Sequence, residues 1–276
     1  MRLYKFNEFY CGKNYLDVQI YPEYVLPKKG KRKSKYKQTS EVQQALNNDN
    51  RDRYVCRLFN HNYTERDYYI TLTYKDEYLP TSFEEAEREV NNYIRRIQYR
   101  AKREGLPTPK ICKVTGYGER RKRLHHHLVV SGELPGYVLK DLWKIKDGKE
   151  YEYRGRIDVD PLEFDKFGII KLANYFVKHI NENKKRGIKC TYYRSRNLQE
   201  PKKNPRVRRL KNREVEDIAK YTDFSALKKL YPDYQLIYPE YYETEKEQKR
   251  AIYYNEHNGG YYFLLRFYKP QRRRNS

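Results

Sequence analysis

Residues 123–131 read Arg123-Leu-His-His-His-Leu-Val-Val-Ser131 and hold three of the chain's six histidines. Taken as a β-strand, the run has two unlike faces, because side chains alternate with period two. Leu124, His126, Leu128 and Val130 face one way, apolar except for His126, and suit a core. Arg123, His125, His127 and Val129 face the other way, with two imidazoles one above the other beside an arginine. Neutral imidazoles about 7 Å apart along a strand can grip one divalent ion. Within a very basic chain, that arrangement points to metal-assisted chemistry on nucleic acid.

The basicity is large. The 276 residues carry a net charge of +23, with a pI of about 9.6 and a mean hydropathy of −1.16. Such an excess attracts polyanions, although ribosomal, membrane-surface and capsid proteins share it. No apolar run approaches the roughly 20 residues of a spanning helix, and no charged-then-apolar signal opens the chain. A soluble protein of the cytoplasm with no membrane partner is expected. Cys11, Cys56, Cys112 and Cys190 form no C-x-x-C pair, which argues against a zinc ribbon and for free thiols. Tyrosine is over-used, 32 against 10 Phe and 1 Trp; most are expected to be packing residues, with some available for stacking on bases.

Working outward, residues 1–60 read as a basic N-terminal extension, with the run Lys28-Lys-Gly-Lys-Arg-Lys-Ser-Lys-Tyr-Lys37 and a helix over 41–58. Residues 61–200 carry the ordered pattern. Tyr68–Tyr74 alternates as a strand. Thr81 or Ser82, with Glu84 or Glu85 three residues on, caps a helix running to about Glu104, whose apolar stripe is Phe83, Ala86, Val90, Tyr93, Ile94, Ile97 and Ala101. Lys110–Tyr117 is a strand that leads by a short turn into the histidine strand. A short helix over 135–143, a strand over 153–159, a helix over 169–183 and a strand over 187–194 follow. Residues 201–276 read as a basic linker over 201–213 and a C-terminal α/β extension, with helices near 212–230 and a strand over 259–268. Hairpin-like neighbours mixed with helices give an α+β fold: an antiparallel sheet of about five strands flanked by helices.

The 169–183 helix supplies a second chemical group. At about 100° per residue, Ile169, Leu172, Ala173, Phe176, Val177 and Ile180 gather on one side, and Lys171, Tyr175, Lys178, His179 and Glu182 on the other. A phenol beside an ammonium suits phosphate chemistry: the oxygen can attack phosphorus and the lysine can offset charge on a non-bridging oxygen. A metal held by His125 and His127 polarises the same phosphate.

At these residues the chain resembles the HUH endonucleases, named for His-hydrophobe-His, and among them the rolling-circle replication initiators of small single-stranded DNA phages and related mobile elements. The matching segments are Ile70-Thr-Leu-Thr-Tyr74, Val114-Thr-Gly-Tyr-Gly118 followed by Arg123-Leu-His-His-His127, Asn174-Tyr-Phe-Val-Lys178, and Ser195-Arg-Asn-Leu198 with Pro201. The resemblance implies a Rep-type nickase fold with N- and C-terminal extensions. It implies nicking and joining of single-stranded DNA at an origin, with Tyr175 as the nucleophile left on the 5′ phosphate. His125 and His127 would bind Mg²⁺ or Mn²⁺, and Lys178 would place the scissile phosphate. Host helicase and polymerase are the implied protein partners, since no Walker-type run appears.

Two positions depart from the family pattern. The middle motif residue is His126, not a hydrophobe, and is expected to be buried and hydrogen-bonded. Relatives place an acidic ligand just before the histidine strand; the position here is Gly116, which leaves Glu119 in the turn as the candidate third ligand. His179 stands where some relatives carry a second tyrosine, which implies a single-tyrosine scheme and puts an imidazole where it can serve as acid or base. Arg123, Lys171, Lys202, Lys203, Arg206, Arg208 and Arg209, with the runs at 28–37 and 272–274, are the candidate phosphate contacts. Two alternatives remain: a non-catalytic nucleic-acid-binding protein on the same fold, and a basic structural virion-associated protein.

Overall fold

The computed structural model describes residues 3–23, 41–118, 123–147, 149–165, 168–188, 192–242, 245–256 and 259–270. The chain opens with β1 (Leu3–Cys11) and β2 (Tyr15–Pro22), an antiparallel hairpin, then α1 (Glu41–Asn62). Next come β3 (Tyr68–Leu72), α2 (Phe83–Arg103), β4 (Ile111–Tyr117), β5 (Leu124–Val130) and α3 (Gly136–Asp141). The hairpin of β6 (Lys144–Asp147) and β7 (Glu150–Tyr153) precedes β8 (Ile157–Pro161), α4 (Ile170–Lys185) and β9 (Tyr193–Arg194). The rest is β10 (Lys202–Lys203), β11 (Arg209–Lys211), α5 (Asn212–Tyr221), α6 (Ser225–Leu230), β12 (Gln235–Ile237), α7 (Glu245–Ala251), β13 (Ile252–Asn255) and β14 (Gly260–Tyr268). These elements form two units, one from residues 1–61 with 200–276 and one from residues 62–199.

The 62–199 unit is built on a five-stranded antiparallel sheet in the order β8-β3-β5-β4-β9. The α2 helix starts where Ser82 Oγ accepts from the Glu85 amide at 3.1 Å and Glu85 Oε2 accepts from the Thr81 amide at 2.7 Å. These bonds satisfy donors that a helix start leaves open. The expected stripe, Phe83, Ala86, Val90, Tyr93, Ile94, Ile97 and Ala101, is the buried face of α2. Val90, Tyr93, Ile94, Ile97 and Ala101 pack with Leu128 and Val130 of β5, Ile70 and Leu72 of β3, and Trp143. Burial of such a side chain contributes about 1.5–3 kcal/mol, so this layer anchors the apolar face of the histidine strand. The opposite sheet face meets α4.

The other unit pairs segments far apart in sequence. Its antiparallel sheet runs β10-β1-β2-β14-β12, with β11 also on β1 and β13 on β14. One face packs Phe6, Val18, Ile20, Phe263, Leu265 and Phe267 against Val215 and Ile218 of α5 and Leu227 of α6. On the other face Asp17 pairs with Arg53 of α1 at 2.5 Å and lies 3.8 Å from Arg57, and Arg266 pairs with Glu247 of α7 at 2.5 Å. Gly12 joins β1 to β2 at φ +64; a Cβ there would stand 2.6 Å from the Asn60 carbonyl oxygen.

The strands β1 and β2 are absent from the sequence reading, which gave residues 1–60 to an extension. Residues 202–211, read as linker, form β10 and β11 on β1. The strand expected over 153–159 is divided between β7 and β8, and of the strand expected over 187–194 the described part is β9. Cys11, Cys56 and Cys112 are free and buried. Among the described residues no helix is long and apolar enough to cross a membrane.

Candidate active site

Strand alternation sets the site. In the β4–β5 ladder, Gly116 lies opposite His125, Thr115 opposite His126 and Val114 opposite His127. Thr71 of β3 lies opposite His127 on the other side. The His125 and His127 rings therefore share one sheet face, with centroids 4.7 Å apart.

The α4 helix closes over that face. Ala173, Phe176, Val177 and Ile180 are buried on it, and Asn183 Nδ2 donates to the Thr115 carbonyl at 2.7 Å, fixing the helix against β4. This docking brings Tyr175 and His179, one turn apart, onto the histidine pair. The Tyr175 hydroxyl lies 3.0 Å from His127 Nε2. The His179 ring stacks on His127 at 5.1 Å and meets His125 edge-on at 5.4 Å. Glu182 approaches His179 Nδ1 at 3.7 Å. The sequence placed His179 on a polar face; in the structure it is buried, because that face of α4 covers the site.

His125, His127 and His179 each offer a ring nitrogen, and the three nitrogens lie within 4.8 Å of one another. The partners of the remaining nitrogens suit metal binding. His125 Nδ1 faces the Arg123 carbonyl at 3.2 Å, and His127 Nδ1 faces the Tyr69 hydroxyl at 2.6 Å with Thr71 Oγ1 at 3.4 Å. Fixing Nδ1 in this way orients Nε2 for a ligand. Burial lowers the pKa of His125. Burial and the neighbouring imidazoles push His127 down to about 2, so both are neutral, the form that binds metal. Burial pushes the Tyr69 phenol up to about 12, helped by Tyr175 and Asp160; it stays protonated. The donor set fits a divalent ion.

His126 faces the core, as expected. It is fully buried, with Nε2 2.6 Å from the Tyr74 hydroxyl and Nδ1 2.8 Å from Thr115 Oγ1. Thr115 donates to Glu87 of α2, which also pairs with the buried Lys113 at 2.5 Å. One assignment satisfies the chain: the Tyr74 hydroxyl donates to Nε2, Nδ1–H to Thr115, and the Thr115 hydroxyl to Glu87. Burial, Lys113 and His125 hold the His126 pKa well below its ordinary value.

The other expected site residues are spread out. Lys178 is exposed on α4, one turn beyond Tyr175. Glu119, the expected third ligand, lies outside the described residues, as do the basic runs at 28–37 and 272–274; His179 stands at the cluster as third imidazole. Arg123 pairs with Asp76 and donates to the Tyr74 carbonyl at 2.8 Å, tying the start of β5 to the segment after β3. Lys171 is exposed, 3.6 Å from Asp165. Lys202, Lys203 and Arg206 are exposed in the other unit. There Arg208 lies 3.6 Å from Glu8 and over the Tyr231 ring, and Arg209 pairs with Glu23 at 2.8 Å.

The ordered motifs have a counterpart among known proteins. Residues 67–205 match the family of the replication-associated protein ORF2. The chain belongs to this family. Its members are rolling-circle replication initiators, and the matched span includes the histidine strand, α4 and the segment through Pro201. No curated protein and no solved structure matches the chain.

Proposed function

We propose that this chain nicks and rejoins single-stranded DNA at a replication origin through a covalent bond between Tyr175 and the 5′ phosphate. The observation that carries the reading is the 3.0 Å approach of the Tyr175 hydroxyl to His127 Nε2, between groups 48 residues apart on different elements, in a chain of an initiator family.

The chemistry balances as a transesterification. The Tyr175 oxygen attacks phosphorus, an O–P bond forms, and the bond from phosphorus to the 3′ oxygen breaks. Tyr175 gives up its phenol proton, for which its 37 % exposure offers a path to water, and the 3′ oxygen takes one up. Joining reverses this, with a 3′ hydroxyl attacking the phosphotyrosine. Lys178 offsets charge on the phosphate. His125, His127 and His179 hold the divalent ion, which when bound supplies positive charge at the phosphate and orients it. An all-imidazole set suits a transition ion over Mg²⁺, which prefers oxygen ligands and retains its waters, so Mn²⁺ is the better of the two expected ions. Lys171, Lys202, Lys203 and Arg206 follow the DNA backbone.

Labelled single-stranded origin DNA with Mn²⁺ tests this. A covalent adduct should form and be lost with chelator or in Tyr175→Phe. An adduct that survives Tyr175→Phe refutes the nucleophile. Tight binding of DNA with no adduct on any phage-origin sequence favours a non-catalytic binding protein.

A further inference from the structure

Beside Tyr175 lies a cavity of about 580 Å³, within the range of small-ligand sites, roughly 300–1,000 Å³. Tyr69 of β3, Asp160 of β8, the segment 161–165, the first turns of α4 and Tyr175 itself line it. Tyr69 and Tyr175 contact the two nitrogens of His127, Nδ1 and Nε2, at 2.6 and 3.0 Å, so the cavity and the imidazole cluster share these walls. A phosphate positioned at the Tyr175 hydroxyl brings its own flanking nucleosides to this place.

The lining has a character unlike the rest of the chain. In a protein of net charge +23, the cavity presents three exposed carboxylates, Asp160, Glu163 and Asp165. Its one ammonium, Lys171, is 3.6 Å from Asp165. Such a lining repels phosphate and accepts hydrogen bonds. Tyr69 and Phe164 add aromatic wall, and stacking on such rings stabilises an unpaired base of any sequence. Asp160 is held in register opposite Tyr69 by the β3–β8 ladder, so ring and carboxylate are positioned on paired strands.

We infer that this cavity takes the base of a nucleotide flanking the scissile phosphate and selects a base with an exocyclic amine, cytosine, adenine or guanine, over thymine. A carboxylate accepts from the cytosine N4 amine and equally from other amino groups. Thymine places two carbonyl oxygens, with a single N–H between them, against the same carboxylates. The inference rests on the nicking function proposed above and adds a sequence preference at one position.

The test has two arms. In the first, a randomised single-stranded DNA library is incubated with the protein and Mn²⁺, and the covalently captured strands are sequenced. Thymine should be depleted about tenfold at one position next to the linked phosphate, a discrimination typical of a good base-edge contact. Asp160→Asn, Glu163→Gln and Asp165→Asn keep the side-chain shapes and add a donor for thymine oxygens; at least one should bring thymine back toward parity. Equal thymine at both flanking positions, or depletion unchanged in all three variants, overturns the inference while leaving the nicking function standing. Complete absence of adduct overturns the nicking function instead. The second arm then decides, with Tyr175→Phe protein and short dC, dA and dT homopolymers in a fluorescence anisotropy titration. The first two should bind about tenfold tighter than dT, with the gap narrowed in the carboxamide variants. Equal binding of all three contradicts the base pocket.

Discussion

Gly116 and His179 occupy one space: a Cβ on Gly116 would stand 2.3 Å from His179 Nδ1 and 2.7 Å from its Cε1. The ring cannot retreat easily, because it is buried and stacked against His127. The bare backbone at the position where relatives carry an acidic ligand is thus what admits an imidazole from α4. Metal binding and the position of Tyr175 are thereby carried by one helix.

Gly116→Ala should displace His179 and weaken the ion. A loss of affinity of roughly 10–100-fold is expected, the range for disturbed ligand support. Titration calorimetry with Mn²⁺, and the visible absorption of bound Co²⁺, measure it. The double variant Gly116→Asp with His179→Ala moves the third ligand from helix to strand and should recover part of the affinity. Unchanged binding in Gly116→Ala contradicts a role for His179.

Tyr74→Phe removes the donor to His126 Nε2 and leaves a buried nitrogen unpaired. Stability should fall by about 1–3 kcal/mol, read from chemical denaturation. No change would mean that the network from Tyr74 to Glu87 does not hold this layer together.

Much of the site could be read from the chain itself. Period two in 123–131 separated His126 from His125 and His127, and the cap at Ser82 with the stripe from Phe83 to Ala101 located α2. The helical wheel put His179 beside Tyr175 as a candidate acid or base. Its place as third imidazole was hidden, because it depends on Gly116, 63 residues earlier, leaving room for a ring. The fold of the other unit was hidden for a similar reason. The alternation of Tyr4, Phe6 and Glu8 is interrupted by a buried carboxylate, and β2 finds its neighbour β14 more than 240 residues away. A cheaper signal was available for β6 and β7, since the dipeptide Asp147-Gly148 is a strong hairpin signal in sequence.

Acid should destabilise the chain well above the carboxylate range. Folded His127 has its pKa pushed from 6.5 down to about 2, and burial lowers His126 and His125 too. Below pH 6.5 the unfolded chain binds protons that the folded chain excludes. Stability is therefore full above that pH and falls as pH drops. His127 alone accounts for a loss of about 2 kcal/mol by pH 5. The melting temperature followed from pH 8 to 5 should begin to fall near pH 6.5; a flat profile down to pH 5 contradicts this.

In the unit formed by the two ends of the chain, Asp17→Asn should cost about 3 kcal/mol or more, the range for breaking a buried ion pair. Burial raises the Asp17 pKa, but Arg53, Arg57 and Arg266 outweigh it and hold the carboxyl below its ordinary range. Removing the charge leaves those guanidiniums uncompensated. Thermal denaturation compares the two proteins, and a shift within error contradicts the importance of this cluster.

Trypsin should release Tyr175 in the peptide Leu172–Lys178, whose only tyrosine is Tyr175. Mass spectrometry of this peptide, after reaction with single-stranded origin DNA and Mn²⁺ and nuclease trimming, reads the chemistry at one residue. The expected result is a mass increase of a 5′-linked nucleotide on Tyr175, absent with chelator. A nucleotide found on any other residue, with this peptide unmodified, contradicts the convergence of Tyr175 and the imidazole cluster on one phosphate.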